Sequence, residues 1–194
     1  MLRNIPTELT ELTQWVVISE NSKVPISPFD GLGASSTDPE TWSDFDTAKA
    51  IVDCGLMSNL GLVFHNNGIV GIDIDIGYDD EGFLSETAAD IIGVCHSYTE
   101  KSRSGRGFHI LLKGVLPFSG LNNRAGVEIY QSSRYFIMTG RTLLFTDIIE
   151  NQCAIDYLLD KYFKTVRNES DGSQKGEKIY NPIWRDPVKG NRFK

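Results

Sequence analysis

IVGIDIDIG, residues 69–77, sets two carboxylates into an otherwise apolar run. Ile69, Val70, Ile72, Ile74 and Ile76 include four β-branched isoleucines and a valine, residues that favour an extended, buried strand. Side chains two apart on a strand share a face, so Asp73 and Asp75 project side by side with Cα atoms about 6.5–7 Å apart. Like charges at that spacing repel, and a cation between them removes the penalty. The strand is therefore a candidate floor for a divalent-metal site. The same residues also fit a half-exposed strand whose polar face carries two Asp, and the segment alone does not choose.

The chain around it has 194 residues, 40% hydrophobic and 23% charged, the composition of one ordinary soluble domain with room for an extension. It has no apolar run long enough for a membrane span, and MLRNIPTELTEL at the N-terminus lacks a signal-peptide core. A cytoplasmic protein with no membrane partner is expected. Cys54, Cys95 and Cys153 are odd in number and far apart, which argues against a disulfide framework or a structural zinc site and suggests buried thiols. The net charge of −7 hides a division. Residues 30–100 hold 14 Asp or Glu against Lys49 alone, a net of −13, whereas residues 101–141 hold 7 Lys or Arg against Glu128 alone, a net of +6. An acidic half beside a basic half suits a metal-dependent enzyme acting on phosphates, and solvated surface charge produces the same pattern.

Working outward, the sequence predicts a short helix over 7–13, a strand over 15–19, a helix over 43–53 closed by Gly55, and a strand over 60–65. Asn66-Asn67-Gly68 is a hairpin signal, so the strand 60–64 is expected to pair antiparallel with IVGIDIDI. A helix is expected over 85–95, strands over 97–100, 108–113, 127–131 and 134–139, and a closing helix over 148–163. These elements make a domain over residues 1–164. From Thr165 onward RNESDGSQKGEK has too few apolar residues to pack, so 165–194 reads as a flexible linker and tail.

Three further features carry chemistry. SRSGRGFH, residues 102–109, combines Gly105 and Gly107, which permit a tight turn with exposed N–H groups, with the cations Arg103 and Arg106, and ends on His109 in the next strand. Such a turn suits phosphate, and a basic hairpin with a structural histidine has the same sequence. Glu128 lies in VEIY between apolar neighbours, the only acid of the basic stretch. If its strand lies beside IVGIDIDIG, three carboxylates converge, enough to hold two Mg²⁺ or Mn²⁺ ions about 3.5–4 Å apart. Without metal they would repel, and removing any one should leave the melting temperature unchanged or raised. Trp42, Tyr130 and Tyr135 fit base stacking and the core equally well.

The ordered set of DID at 73–75, SGRGFH at 104–109 and VEIY at 127–130 resembles the three catalytic motifs of the archaeo-eukaryotic primase superfamily. KVPISP, ASSTDPETW, YTEKSRSGRGFH, EIY and RYFIMTG resemble the primase-polymerase domains of phages and plasmids, over residues 12–141. The resemblance implies an α+β fold, an N-terminal α/β part plus an RRM-like catalytic sheet with the active site between them. It implies that Asp73, Asp75 and Glu128 hold Mg²⁺ or Mn²⁺ and, with His109, form the catalytic set. Ser104 and His109 would contact the triphosphate of an incoming NTP or dNTP, with Gly105, Gly107, Lys101 and Arg134 completing the nucleotide site. Arg103 stands where the family usually has proline.

The activity so implied is template-dependent DNA primase and DNA polymerase chemistry on a single-stranded template and primer, in phage or mobile-element replication. A helicase or helical primase region is the implied partner. A non-catalytic single-stranded nucleic-acid-binding module remains the alternative, and a two-metal nuclease has no use for a triphosphate-binding turn. Arg103, Arg106, Arg124 and Arg141 are the expected DNA contacts. Sequence-tolerant binding of single-stranded DNA should weaken steeply between about 50 and 200 mM salt, because cation–phosphate contacts release counterions. Arg124→Glu should weaken it further in a fluorescence-anisotropy titration, and salt-insensitive binding would count against this basic face.

Overall fold

A computed structural model describes residues 4–122 and 126–170 of the chain. Helix α1 (Thr7–Thr10) precedes strand β1 (Trp15–Ile18), and a 3₁₀ turn at Pro39–Thr41 leads to α2 (Phe45–Asp53). Asp44 caps α2 by accepting from the Thr47 N–H at 2.8 Å. Strands β2 (Asn59–His65) and β3 (Ile69–Ile74) follow, then α3 (Glu86–Cys95), whose Ser85 cap accepts from the Ala88 N–H at 3.2 Å. The second half holds β4 (Thr99–Lys101), β5 (Phe108–Lys113), β6 (Gly120–Asn122), β7 (Val127–Tyr130), β8 (Ser132–Met138) and α4 (Gln152–Ser170). Strand β6 had no expectation from sequence. Helix α4 starts later than the closing helix expected over 148–163 and runs to Ser170, into the stretch read as a linker; residues 171–194 lie outside the described ones.

The strands form two antiparallel sheets, one ordered β1-β2-β8 and the other β4-β5-β3-β7-β6. The expected β2–β3 hairpin is therefore not a pair. Asn66 and Gly68 do take left-handed backbone (φ 52° and 84°) and reverse the chain. The reversal carries it from one sheet to the other, because β3 is flanked on both edges by β5 and β7. β2 finds its own partners in β1 and β8.

The period of the strand explains the layering. Val70, Ile72 and Ile74 face α3 and α4, joining Ala88, Ile91, Ile155 and Leu158 in one core. Ile69 lies on the opposite face, in a second core with Leu62, Phe64, Leu111 and Phe136 between the sheets. Gly71 shares that face, and a Cβ there would stand 2.2 Å from Phe64 Cζ and 2.7 Å from Phe136 Cε2. A third cluster, Val16, Ile18, Trp42 and Val63, covers the outer face of the three-stranded sheet.

The chain passes from β7 to β8, and so from one sheet to the other, through the single residue Gln131. Its amide accepts from the Leu116 N–H at 2.9 Å and donates to the carbonyls of Leu116 and Phe118 at 2.6 and 3.0 Å. Among the described residues no helix is long and apolar enough to cross a membrane. Cys95 is buried as expected, but Cys54 and Cys153 are exposed, Cys54 at the end of α2 and Cys153 in the first turn of α4.

Gly71→Val should push the two phenylalanine rings out of place and cost about 1–3 kcal/mol of stability, read as a lower melting temperature. An unchanged melting temperature would mean that the sheets have room between them.

Candidate active site

Three neighbouring strands line up one polar side chain each. Asp73 of β3 is the register partner of His109 on β5 and of Glu128 on β7. All three lie on the face of the five-stranded sheet turned toward the other sheet, one step beyond Gly71. A cavity of about 310 Å³ opens there, and Asp75, Ser102, Arg103 and Ser104 share its wall with these three. From the other sheet come Arg134, Tyr135, Phe136 and Ile137 of β8, and Lys23 from the loop after β1. A volume of this size admits a small ligand. Asp75 follows the end of β3, with its N–H donating to the Gly126 carbonyl at 2.9 Å.

Burial and neighbouring charges both act on Asp73. Burial raises its pKa above the usual carboxylate value, and although His109 opposes this, the charges of Glu128 and Asp75 push it the same way. His109 Nε2 stands 3.8 Å from Asp73 Oδ1. On its other side His109 Nδ1 lies 3.1 Å from Glu100 Oε1, and the ring stacks on Phe136 with centroids 4.8 Å apart and planes 21° apart. Burial alone would lower the imidazole's pKa, but the Glu100 hydrogen bond and the charges of Asp73 and Glu100 outweigh it and raise it.

Glu128 repels Asp73 as expected of converging acids but, unlike the expectation, has a cation of its own. Its Oε2 accepts from the Arg134 guanidinium at 2.8 Å, and the same guanidinium lies 5.0 Å from the centre of the Tyr130 ring. This ion pair joins β7 to β8 across the two sheets. Among the described residues no group of three or more His, Cys, Asp or Glu side chains is arranged as a metal-binding cluster.

The SRSGRGFH turn is built differently from an open phosphate nest. The Gly105 N–H donates to the Ser102 carbonyl at 2.9 Å, the Gly107 N–H to Ser102 Oγ at 3.2 Å and the Arg106 N–H to Ser104 Oγ at 3.3 Å, so these donors serve the turn itself. The glycines are needed for shape: Gly105 has φ 75°, and a Cβ on Gly107 would stand 2.1 Å from the Ile74 carbonyl oxygen. Ser104 does reach the cavity.

The cations are also partly committed. Arg103 donates to the Ser22 carbonyl at 2.8 Å, tying the turn to the loop after β1. Arg141 donates to the carbonyls of Ser102 and Arg103. Lys101 Nζ lies 5.2 Å from the centre of the Tyr78 ring. Arg106 belongs to the turn but is not among the cavity's lining residues, and Arg124 lies outside the described residues. Trp42 and Tyr130 are buried, whereas Tyr135 lines the cavity. Lys23 and Ser102 were missed as cavity residues. A lone base among the prolines of KVPISP was the available signal for Lys23, and two serines flanking Arg103 were the signal for Ser102.

Fold and site together define a mixed α/β protein with antiparallel sheets and an acidic centre facing basic side chains between them. No family model matches the chain. The DNA primase-polymerase of Nitratiruptor phage NrS-1 is 35% identical to it over 152 residues, covering 72% of this chain and 21% of the relative's length. This similarity supports a primase-polymerase domain over the matched part of the chain.

The folded chain holds the Asp73 proton more tightly than the unfolded chain. Its carboxylate therefore disfavours folding once pH rises above the folded pKa, and the penalty is absent below the ordinary value of 3.8. At neutral pH in a chelator, Asp73→Asn should leave the melting temperature unchanged or raise it. Glu128→Gln should lower stability by about 1–3 kcal/mol, because it removes the charged partner of Arg134 in a sparsely solvated place. Equal effects of the two substitutions in differential scanning calorimetry would contradict this division.

Proposed function

We propose that the chain is the nucleotidyl-transfer domain of a DNA primase and DNA polymerase, joining NTPs or dNTPs on a single-stranded template in phage replication. The observation that carries this reading is the register of His109, Asp73 and Glu128 across three adjacent strands at a cavity walled on its other side by basic and aromatic side chains. The similarity to the phage primase-polymerase supports it. The relative's additional length leaves room for the helicase or helical region that such a domain would work with.

Divalent metal is part of the proposal. Asp73, Asp75 and Glu128 offer only hard carboxylate oxygens to one cavity, the donor type suited to Mg²⁺ or Mn²⁺. Burial and the neighbouring charges of Glu128 and Asp75 disfavour a charged Asp73, a cost that a bound cation would offset. When bound, the metal would supply charge neutralisation and Lewis acidity for attack of a 3′-hydroxyl on the α-phosphate. His109 Nε2 and Ser104 Oγ would hold the triphosphate, Lys23 and Arg134 would add positive charge to the same cavity, and Phe136 would keep the histidine ring flat against the wall. An archaeo-eukaryotic primase fold belongs to the proposal too. Its support is the order β4-β5-β3-β7, which places the first strand of a βαββ run beside the third with α3 on one face.

Primer extension and unprimed synthesis, each with NTPs and dNTPs in Mg²⁺ and in Mn²⁺, test the reading directly. Wild type should incorporate nucleotide, and Asp73→Asn and Asp75→Asn should lose at least about two orders of magnitude of that activity. Mn²⁺ should also raise the wild-type melting temperature by mass action, with a smaller gain in both variants. DNA binding without metal-dependent product would instead identify a binding module, and shortening of the primer a nuclease.

A further inference from the structure

Glu100 belongs to none of the three motifs, yet its side chain is fully buried and ends against the functional histidine. A carboxylate in such a place persists only if donors surround it. They do here. Oε1 receives the Thr139 N–H at 3.0 Å and faces His109 Nδ1 at 3.1 Å, while Oε2 receives the Thr139 N–H at 3.1 Å, the Gly140 N–H at 2.7 Å and the Tyr98 hydroxyl at 2.8 Å. β4 and β5 pair with Glu100 directly opposite His109, so the contact is set by sheet register rather than by a flexible loop.

Only one ring nitrogen is left for the cavity. An Nδ1–H donated to a carboxylate fixes the orientation of the ring and so the direction of the other nitrogen. Phe136 blocks rotation of the ring out of its plane by stacking at 4.8 Å. The remaining nitrogen, Nε2, faces Asp73.

We propose that Glu100 is a positioning residue for nucleotide binding: it accepts from Nδ1–H of His109 and so holds the ring with Nε2 turned into the cavity where the triphosphate would lie. The inference rests on the nucleotidyl-transfer reading for the identity of the ligand, but the placement of the ring and its proton stands apart from it. Because Glu100 also ties the end of β8 to β4 through Thr139 and Gly140, substitutions there have a structural effect as well. A test must separate the two.

The wild-type protein gives the first measurement. In a long-range ¹H–¹⁵N correlation spectrum, His109 should show a protonated, hydrogen-bonded Nδ1, and a bare Nδ1 would overturn the proposal whether or not the protein incorporates nucleotide. The second is a cycle of Glu100→Gln and His109→Ala, read as the dissociation constant of Mn²⁺–dATP by calorimetry. Glu100→Gln should weaken binding by about tenfold or more when His109 is present and by less than about twofold when it is Ala. An equal loss in both backgrounds would show a purely structural residue and overturn the proposal. If Glu100→Gln does not fold, the wild-type spectrum decides. If wild type binds no Mn²⁺–dATP while Nδ1 is protonated, the functional reading fails and the positioning of the ring does not.

Discussion

Everything in the molecule depends on a close approach of two antiparallel sheets at a glycine. Gly71 sits in the middle strand of the five-stranded sheet, where the rings of Phe64 and Phe136 occupy the space that a side chain would take. A central strand covered by helices on one face and by a second sheet on the other has no solvent-facing side on which to place a charge. Polar side chains are tolerated only where the two sheets part. Asp73, His109 and Glu128 stand at that line, one strand step beyond the glycine, so the packing that stabilises the domain also decides where its chemistry can lie.

The local parts of this arrangement were legible in the sequence. The buried strand with its two acids, the helix capped by Ser85 and the strand 108–113 follow from periodicity, caps and the placement of acids among apolar neighbours, whereas the convergence of Asp73 with Glu128 depended on a strand adjacency that only the fold supplies. The pairing of β2 was not legible, because Asn66-Asn67-Gly68 reports that the chain reverses and not which sheet receives it. That choice was made by Phe136, more than sixty residues further on, packing with Phe64 over Gly71. The two glycines of the basic turn were misread for a similar reason. A sequence shows that backbone freedom is required, but only the fold shows that the freedom serves approach to the Ile74 carbonyl and that the N–H groups are consumed inside the turn.

Charge was legible in bulk and not in detail. The basic segment does bring Arg103, Arg134 and His109 to the same cavity as the acids. Sequence could not show that Arg134 neutralises Glu128, nor that Arg103 and Arg141 hold backbone carbonyls, since each of these bonds joins elements that meet only after folding. Glu100 escaped notice because one acid in a strand of three residues carries no pattern. Its importance arises from what the register places opposite it.

The corner at Gln131 gives the domain an unequal tolerance to changes in length. Side chains alternate along β8, so Arg134, Phe136 and Met138 point toward the five-stranded sheet while Tyr135 and Ile137 pack on the other side. One residue inserted between β7 and β8 would exchange these two sets, turning the guanidinium and the stacking ring outward and driving the outer residues into the core. The corner therefore tolerates substitution far better than insertion. The loop after β1 is held at both the cavity and the sheet, since Lys23 lines the site, the Ser22 carbonyl accepts from Arg103 and Ile26 pairs with Val17. A change of length therefore fits only its exposed turn around Phe29 and Leu32, away from those contacts.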